Sequence, residues 1–148
     1  MMNSPDFQPE SPRGNLFVYD TVAVRYRDID AFGHVNNAVY LSYLEQARID
    51  YFAEMAGTTW DWNAYGAIVA RNEIDYLRPI HLGNKVTICT WCAELGRSSM
   101  KMAYQIYGKT SETGEWWLAA KAETVIVAYD LKQGKVVPVH PHWAARLA

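Results

Sequence analysis

The stretch that decides the fold is Tyr26 to Arg48, YRDIDAFGHVNNAVYLSYLEQAR. Two aspartates, a glycine, a histidine and two asparagines stand directly before a long apolar run. Asp28 and Asp30 fall in the loop that leaves an expected strand. Gly33 admits a tight or left-handed turn that a side chain would resist. Asn36 and Asn37 are favourable helix-capping residues, whose side-chain oxygen accepts from first-turn amides. The pattern predicts a carboxylate held near the positive end of a helix, where free backbone N–H groups favour developing negative charge. That pairing suits attack on a carbonyl group.

The helix itself carries Val39, Tyr40, Leu41, Tyr43, Leu44, Ala47, Ile49, Tyr51, Phe52 and Met55. These cover far more than one apolar stripe, and a helix apolar nearly all round is normally buried. Gly57 is a natural residue just past the C-terminus, so the expected helix runs from Asn37 to Ala56, roughly 30 Å. Something has to wrap it.

Outward from the helix, Phe17 to Tyr26 alternates like a strand. After the aromatic loop Thr58 to Gly66, strands are expected at Ala67–Leu77, Lys85–Leu95, Ser99–Tyr107 and Trp116–Tyr129, with a short piece at Val136–Val139. The links between them are short, which implies antiparallel neighbours rather than helical crossovers. The expectation is an α+β domain in which one antiparallel sheet of five to six strands wraps a long central helix. Residues 17–148 form this single domain, and residues 1–16 a flexible polar tail without the layout of a signal peptide.

Half of the 148 residues are apolar, enough to bury a core. A formal charge of −2 offers no basic excess for nucleic acid, and no run is long enough to span a membrane. A soluble cytoplasmic protein is the economical expectation. Cys89 and Cys92 lie in one predicted strand, where a three-residue spacing sets side chains on opposite faces, about 10 Å apart and beyond disulfide reach. Both read as small hydrophobes. His140 and His142 lack a third ligand in sequence, so no metal site is expected.

The motif Asp28-x-Asp30-x-x-Gly33-His34-Val35-Asn36-Asn37-x-x-Tyr40, followed by Tyr43-Leu44-Glu45-x-Ala47-Arg48, closely resembles the signature of hot-dog-fold acyl-CoA thioesterases. The 4-hydroxybenzoyl-CoA thioesterase-like branch is the nearest in pattern. Tyr76-Leu77-Arg78-Pro79-Ile80-x-x-Gly83 and Gly96-Arg97-Ser98-Ser99 are similar to further family segments. The resemblance implies a hot-dog fold and hydrolysis of an acyl-CoA to free acid and coenzyme A. It assigns the catalytic carboxylate to Asp30 and the polarising backbone N–H to Asn37, where some relatives carry histidine or tyrosine. Gly33 and His34 complete the catalytic loop, and Tyr40, Arg78, Arg97, Ser98 and Ser99 are the expected substrate-binding residues. It also implies a homodimer or homotetramer with sites at the subunit boundary, and no cofactor beyond the coenzyme A of the substrate.

The chemistry needs little more. A thiolate of parent pKa about 8.5 leaves without strong acid help. One carboxylate can activate water or attack directly. Helix-start amides can hold the oxyanion, at a cost of roughly 3–4 kcal/mol when one such donor is lost. Simpler roles stand beside these. Asp28 reads as a loop cap or ion-pair partner, His34 also as a structural hydrogen-bonding residue, and Glu45 with Arg48 as an intrahelical ion pair. Two other functions keep the same fold: an acyl-carrier-protein thioesterase, and a non-catalytic acyl-thioester-binding subunit.

Overall fold

A computed structural model describes residues 17–110 and 114–147, with side chains from residue 21 onward. The expected N-terminal tail lies outside the described residues. The chain runs β1 (Phe17–Val22), a single 3-10 turn (Tyr26–Asp28), α1 (Val39–Ala56), β2 (Tyr65–Tyr76), β3 (Lys85–Leu95), β4 (Ser99–Lys109), β5 (Trp117–Asp130), β6 (Lys135–Val136) and α2 (Pro141–Leu147). The strands form one sheet in the order β1-β3-β4-β5-β2, with β6 added beside β5. Every pairing is antiparallel, as the short links require.

Most strand boundaries move by one to three residues from the expected ones, and two larger or functional shifts have local reasons. β1 stops at Val22, because Arg25 and Asp28 exchange hydrogen bonds that wind the chain into the 3-10 turn. α1 starts at Val39 rather than Asn37. Asn36 folds the preceding residues into a turn, its Oδ1 accepting from the Ala38 N–H at 2.9 Å and its carbonyl from the Val39 N–H at 2.9 Å. The other end falls as expected. Gly57 adopts φ +85°, a conformation that favours glycine, and donates its N–H to the Ala53 carbonyl at 3.1 Å.

The core lies between α1 and the inner face of the sheet. Tyr40, Tyr43, Leu44, Ala47, Tyr51 and Met55 of the helix are buried against Val86, Ile88, Met102, Tyr104, Ile106 and Ile126. Full burial of each large side chain is worth about 1.5–3 kcal/mol. The sheet does not wrap the whole helix. Leu41 and Ile49 stay exposed, as do Ile68 and Val69 on the edge strand β2. Arg48 also departs from expectation: its Nη1 donates to the buried Tyr104 hydroxyl at 3.2 Å instead of pairing with Glu45. A helix position facing the core draws the guanidinium towards the only kind of group that satisfies it there, an acceptor oxygen. Cys89 and Cys92 form no disulfide and face opposite sides of β3, Cys89 with Trp91 and Ala103, Cys92 in the main core.

α2 has no counterpart among the expected elements. Pro141 begins it, a position where the missing N–H costs nothing. Its Trp143 is fully buried among Phe52, Trp60, Trp62 and Tyr65, with ring centroids 4.9–5.6 Å away.

Candidate active site

The site begins where the chain leaves β1. Asp28 is 3% exposed, yet its carboxylate is well provided for. Oδ2 accepts from the Arg25 N–H at 2.9 Å and from the Tyr43 hydroxyl at 2.8 Å, while Arg25 Nη2 lies 3.6 Å from Oδ1. Burial by itself would raise the Asp28 pKa. The Arg25 amide, the Tyr43 hydroxyl and the nearby arginines outweigh it and hold the carboxyl below its ordinary value. The same contacts act oppositely on Tyr43, whose hydroxyl is pushed well up by burial and by the Asp28 carboxylate. Asp28 is therefore the loop anchor that its position in sequence implies.

From this anchor the chain makes a narrow reversal. Ile29 bridges Val35, the Asp30 N–H donates to the His34 carbonyl at 2.8 Å, and the Gly33 N–H donates back to the Asp30 carbonyl at 3.1 Å. Gly33 turns the chain at φ +84°. Space for a Cβ is available there, so the demand on glycine is conformational, not steric. Asp30 Oδ1 accepts from the Phe32 N–H at 2.9 Å and the His34 N–H at 3.3 Å. Its Oδ2 has no hydrogen-bond donor among the described residues. One oxygen is tethered and the other is open to chemistry.

Asp30, His34, Asn37, Tyr40, Tyr76 and Arg78 line one cavity of about 230 Å³. The Asn37 N–H meets no acceptor among the described residues, at the turn that enters α1. The Asn37 carbonyl is held by the Tyr76 hydroxyl at 2.8 Å, which fixes the peptide on that side. Tyr76 in turn stacks edge-on against Tyr40 at 5.0 Å. Burial and the neighbouring Tyr76 push the Tyr40 hydroxyl up to about 12, so it stays protonated through the neutral range. Arg78 places its guanidinium over the Trp117 ring at 4.5 Å, at the edge of the cavity.

His34 contributes both its N–H and its carbonyl to the reversal, and its ring packs edge-on against His81 at 4.9 Å. His81 Nδ1 lies 3.2 Å from the Gly33 carbonyl. These contacts favour the structural role for His34. The sequence pattern singles out neither His81 nor a separate role for Tyr76; for Tyr76 the segment Tyr76-Leu77-Arg78-Pro79 is the available signal.

Arg97, Ser98 and Ser99 stand elsewhere. β3 pairs with β4 from Lys85↔Lys109 to Leu95↔Met100, and the end of β1 meets the start of β3 at Val22↔Val86. The Asp30 loop therefore lies at the Lys85 end of the sheet. The 96–98 turn closes the other end, about 33 Å along β3, where the Arg97 carbonyl accepts from Val139 and that of Ser98 from Ala128. Within one chain the two groups do not meet.

Comparison with known proteins gives the same class. A model of the thioesterase-like superfamily matches residues 24–147, and the chain belongs to that superfamily. A thioesterase from Thermus thermophilus, solved in complex with coenzyme A and Zn, is 41% identical, with 87% of this chain and 90% of that one covered and a TM-score of 0.72. The long-chain acyl-CoA thioesterase FadM of Escherichia coli is 33% identical over 117 residues, 78% of this chain and 86% of that protein. YsmA of Bacillus subtilis is 30% identical over 86 residues, so the match spans 58% of either chain. A variant of 4-hydroxybenzoyl-CoA thioesterase complexed with 4-hydroxybenzoyl-CoA shares the fold, at TM-score 0.79 and 16% identity, covering 89% of this chain and 99% of that one. The fold is thus the expected hot-dog fold, and the chain is an acyl-CoA thioesterase-like protein. Among the described residues no helix is long and apolar enough to cross a membrane.

Proposed function

We propose that this chain hydrolyses an acyl-CoA thioester to the free acid and coenzyme A. The observation that carries the reading is the pairing of Asp30, with Oδ2 open, and the unfilled Asn37 N–H around one cavity at the start of α1. The thioester carbonyl oxygen accepts from the Asn37 N–H, which holds the negative charge that develops there. Asp30 takes a proton from water as the water attacks. Alternatively its carboxylate attacks first and water cleaves the resulting anhydride. In either route the C–S bond breaks and the thiolate of coenzyme A departs.

A cavity of 230 Å³ is small for such a ligand, since ligand pockets usually run from about 300 to 1,000 Å³. Phe32 at 85% exposure, Leu77 and Ile49 leave apolar surface open on the loop, beside the site and on α1. Both points support a homodimer or homotetramer whose second copy completes the site, with Arg97, Ser98 and Ser99 reaching the coenzyme A phosphates of a neighbouring copy. A clean monomer by light scattering at micromolar concentration would sink the oligomer. Arg97→Ala is expected to raise KM for acyl-CoA several-fold with kcat little changed, because phosphate contacts alter little in the transition state; an unchanged KM at low salt removes Arg97 from the site.

Thiol release from acyl-CoAs of two to sixteen carbons, beside an acyl-carrier-protein thioester, tests the function. Turnover of the CoA thioesters is expected. Preference for the carrier-bound substrate would favour the carrier-protein thioesterase, and binding without turnover the non-catalytic subunit.

A further inference from the structure

Asp28 sits two residues before Asp30 and touches neither the cavity nor any group placed to react. It is nevertheless the one buried carboxylate among the described residues. Its side chain closes the 3-10 turn onto Arg25 and receives the hydroxyl of Tyr43, a residue of the second turn of α1. Its carbonyl accepts from the Asn36 N–H at 2.8 Å, directly at the base of the Asp30 reversal. Three segments therefore converge on this one residue: the exit of β1, the start of the reversal and the body of the helix.

The geometry matters because the two groups that must act together lie on different elements. Asp30 rides on the reversal, whereas the Asn37 N–H belongs to the entry of α1. Backbone bonds from the Asn36 N–H to the Asp28 carbonyl and from the Val39 N–H to the Asn36 carbonyl join the reversal to the helix entrance, and the Tyr43 hydroxyl adds a side-chain tie from the body of the helix. A misplacement of about 1 Å can cost a hundredfold in rate. We infer that Asp28 and Tyr43 form a positioning clamp that sets Asp30 against the Asn37 amide. The clamp rests on the hydrolytic reading for its effect on rate, but not for its effect on the loop. A buried carboxylate with two hydrogen bonds on one oxygen and an arginine beside the other is also a costly device for mere loop closure, which a neutral side chain could perform.

Tyr43→Phe is the informative variant, since it keeps the ring and its packing against Tyr40 and deletes only the hydroxyl. Tyr51→Phe is the control. Tyr51 is equally buried on the same helix and bonds the backbone of Cys92, far from the loop. The first measurement is NMR amide exchange at Phe32 and His34, the two N–H groups that hold Asp30 Oδ1. Tyr43→Phe is expected to speed their exchange about tenfold, with Tyr51→Phe leaving it unchanged. The second measurement is kinetic. Tyr43→Phe should lower kcat about tenfold with KM within twofold, and should add nothing in an Asp30→Asn background, because residues that act through one another are not additive. Unchanged exchange, or an undiminished effect on kcat in the Asp30→Asn background, overturns the clamp. Should the wild-type chain release no thiol from any acyl-CoA, the hydrolytic reading falls, and the exchange rates alone decide whether the clamp exists.

Discussion

At its C-terminal end α1 hands its last carbonyls to α2: His142 Nε2 lies 3.2 Å from the Ala56 carbonyl, and Arg146 donates to that of Glu54. Gly57 turns the chain away, and four tryptophan and tyrosine rings pack together there with Phe52. At its N-terminal entry the same chain leaves the Asn37 N–H without a described acceptor, beside a carboxylate with one free oxygen. Every helix has orphan groups at both ends. Here carbonyls at one end are met by side chains, while the Asn37 N–H at the other has no acceptor among the described residues.

Substitutions at the two ends should separate along these lines. The largest effect is expected from Trp143→Ala, which empties the centre of the aromatic cluster at the C-terminal end and should cost about 3–5 kcal/mol of unfolding free energy. Activity per folded molecule should persist, as measured by denaturant titration beside turnover. A specific-activity loss as large as the stability loss would mean that the two ends are not independent. Asp30→Asn comes next and should do the reverse. A loss of at least a hundredfold in kcat, about 2.7 kcal/mol, is expected with KM little altered and the melting temperature close to wild type. Near wild-type turnover from a well-folded Asp30→Asn protein would overturn the mechanism and favour a binding subunit.

The smallest effect sharpens the contrast through pH. The Asp28 carboxyl is depressed in the folded chain, against about 3.9 when unfolded. Its stabilisation is therefore complete above the unfolded value and is lost as pH falls through the lower, folded one. Melting of wild type and Asp28→Asn should differ most at neutral pH and converge in strong acid. A difference that persists undiminished at the lowest pH would show that charge at Asp28 contributes nothing.

The reach of local sequence signals is clearest at individual residues. The long apolar run from Val39 to Met55 places α1, and Gly57 places its end, because both signals are local. The alternation and short links of the later segments imply the antiparallel sheet for the same reason. Arg48 marks a limit: three-residue spacing to Glu45 is a valid local signal, but the Tyr104 hydroxyl, 56 positions away, wins the guanidinium. α2 marks another, because seven residues give too little periodicity, and its partner surface comes from α1 and the loop after it.

Element order, the turn at Gly33 and the seven-residue interval that joins a carboxylate to a helix entrance can all be read from the residues in order. These depend on backbone preferences within a few residues. Folding alone brings Asp28 under Tyr43, sets Tyr76 on the Asn37 carbonyl, and leaves Arg97 at the far end of the sheet from Asp30. Such facts follow from strand register and from which helix face meets the sheet. Those are properties of contacts between distant segments, and no local pattern encodes them.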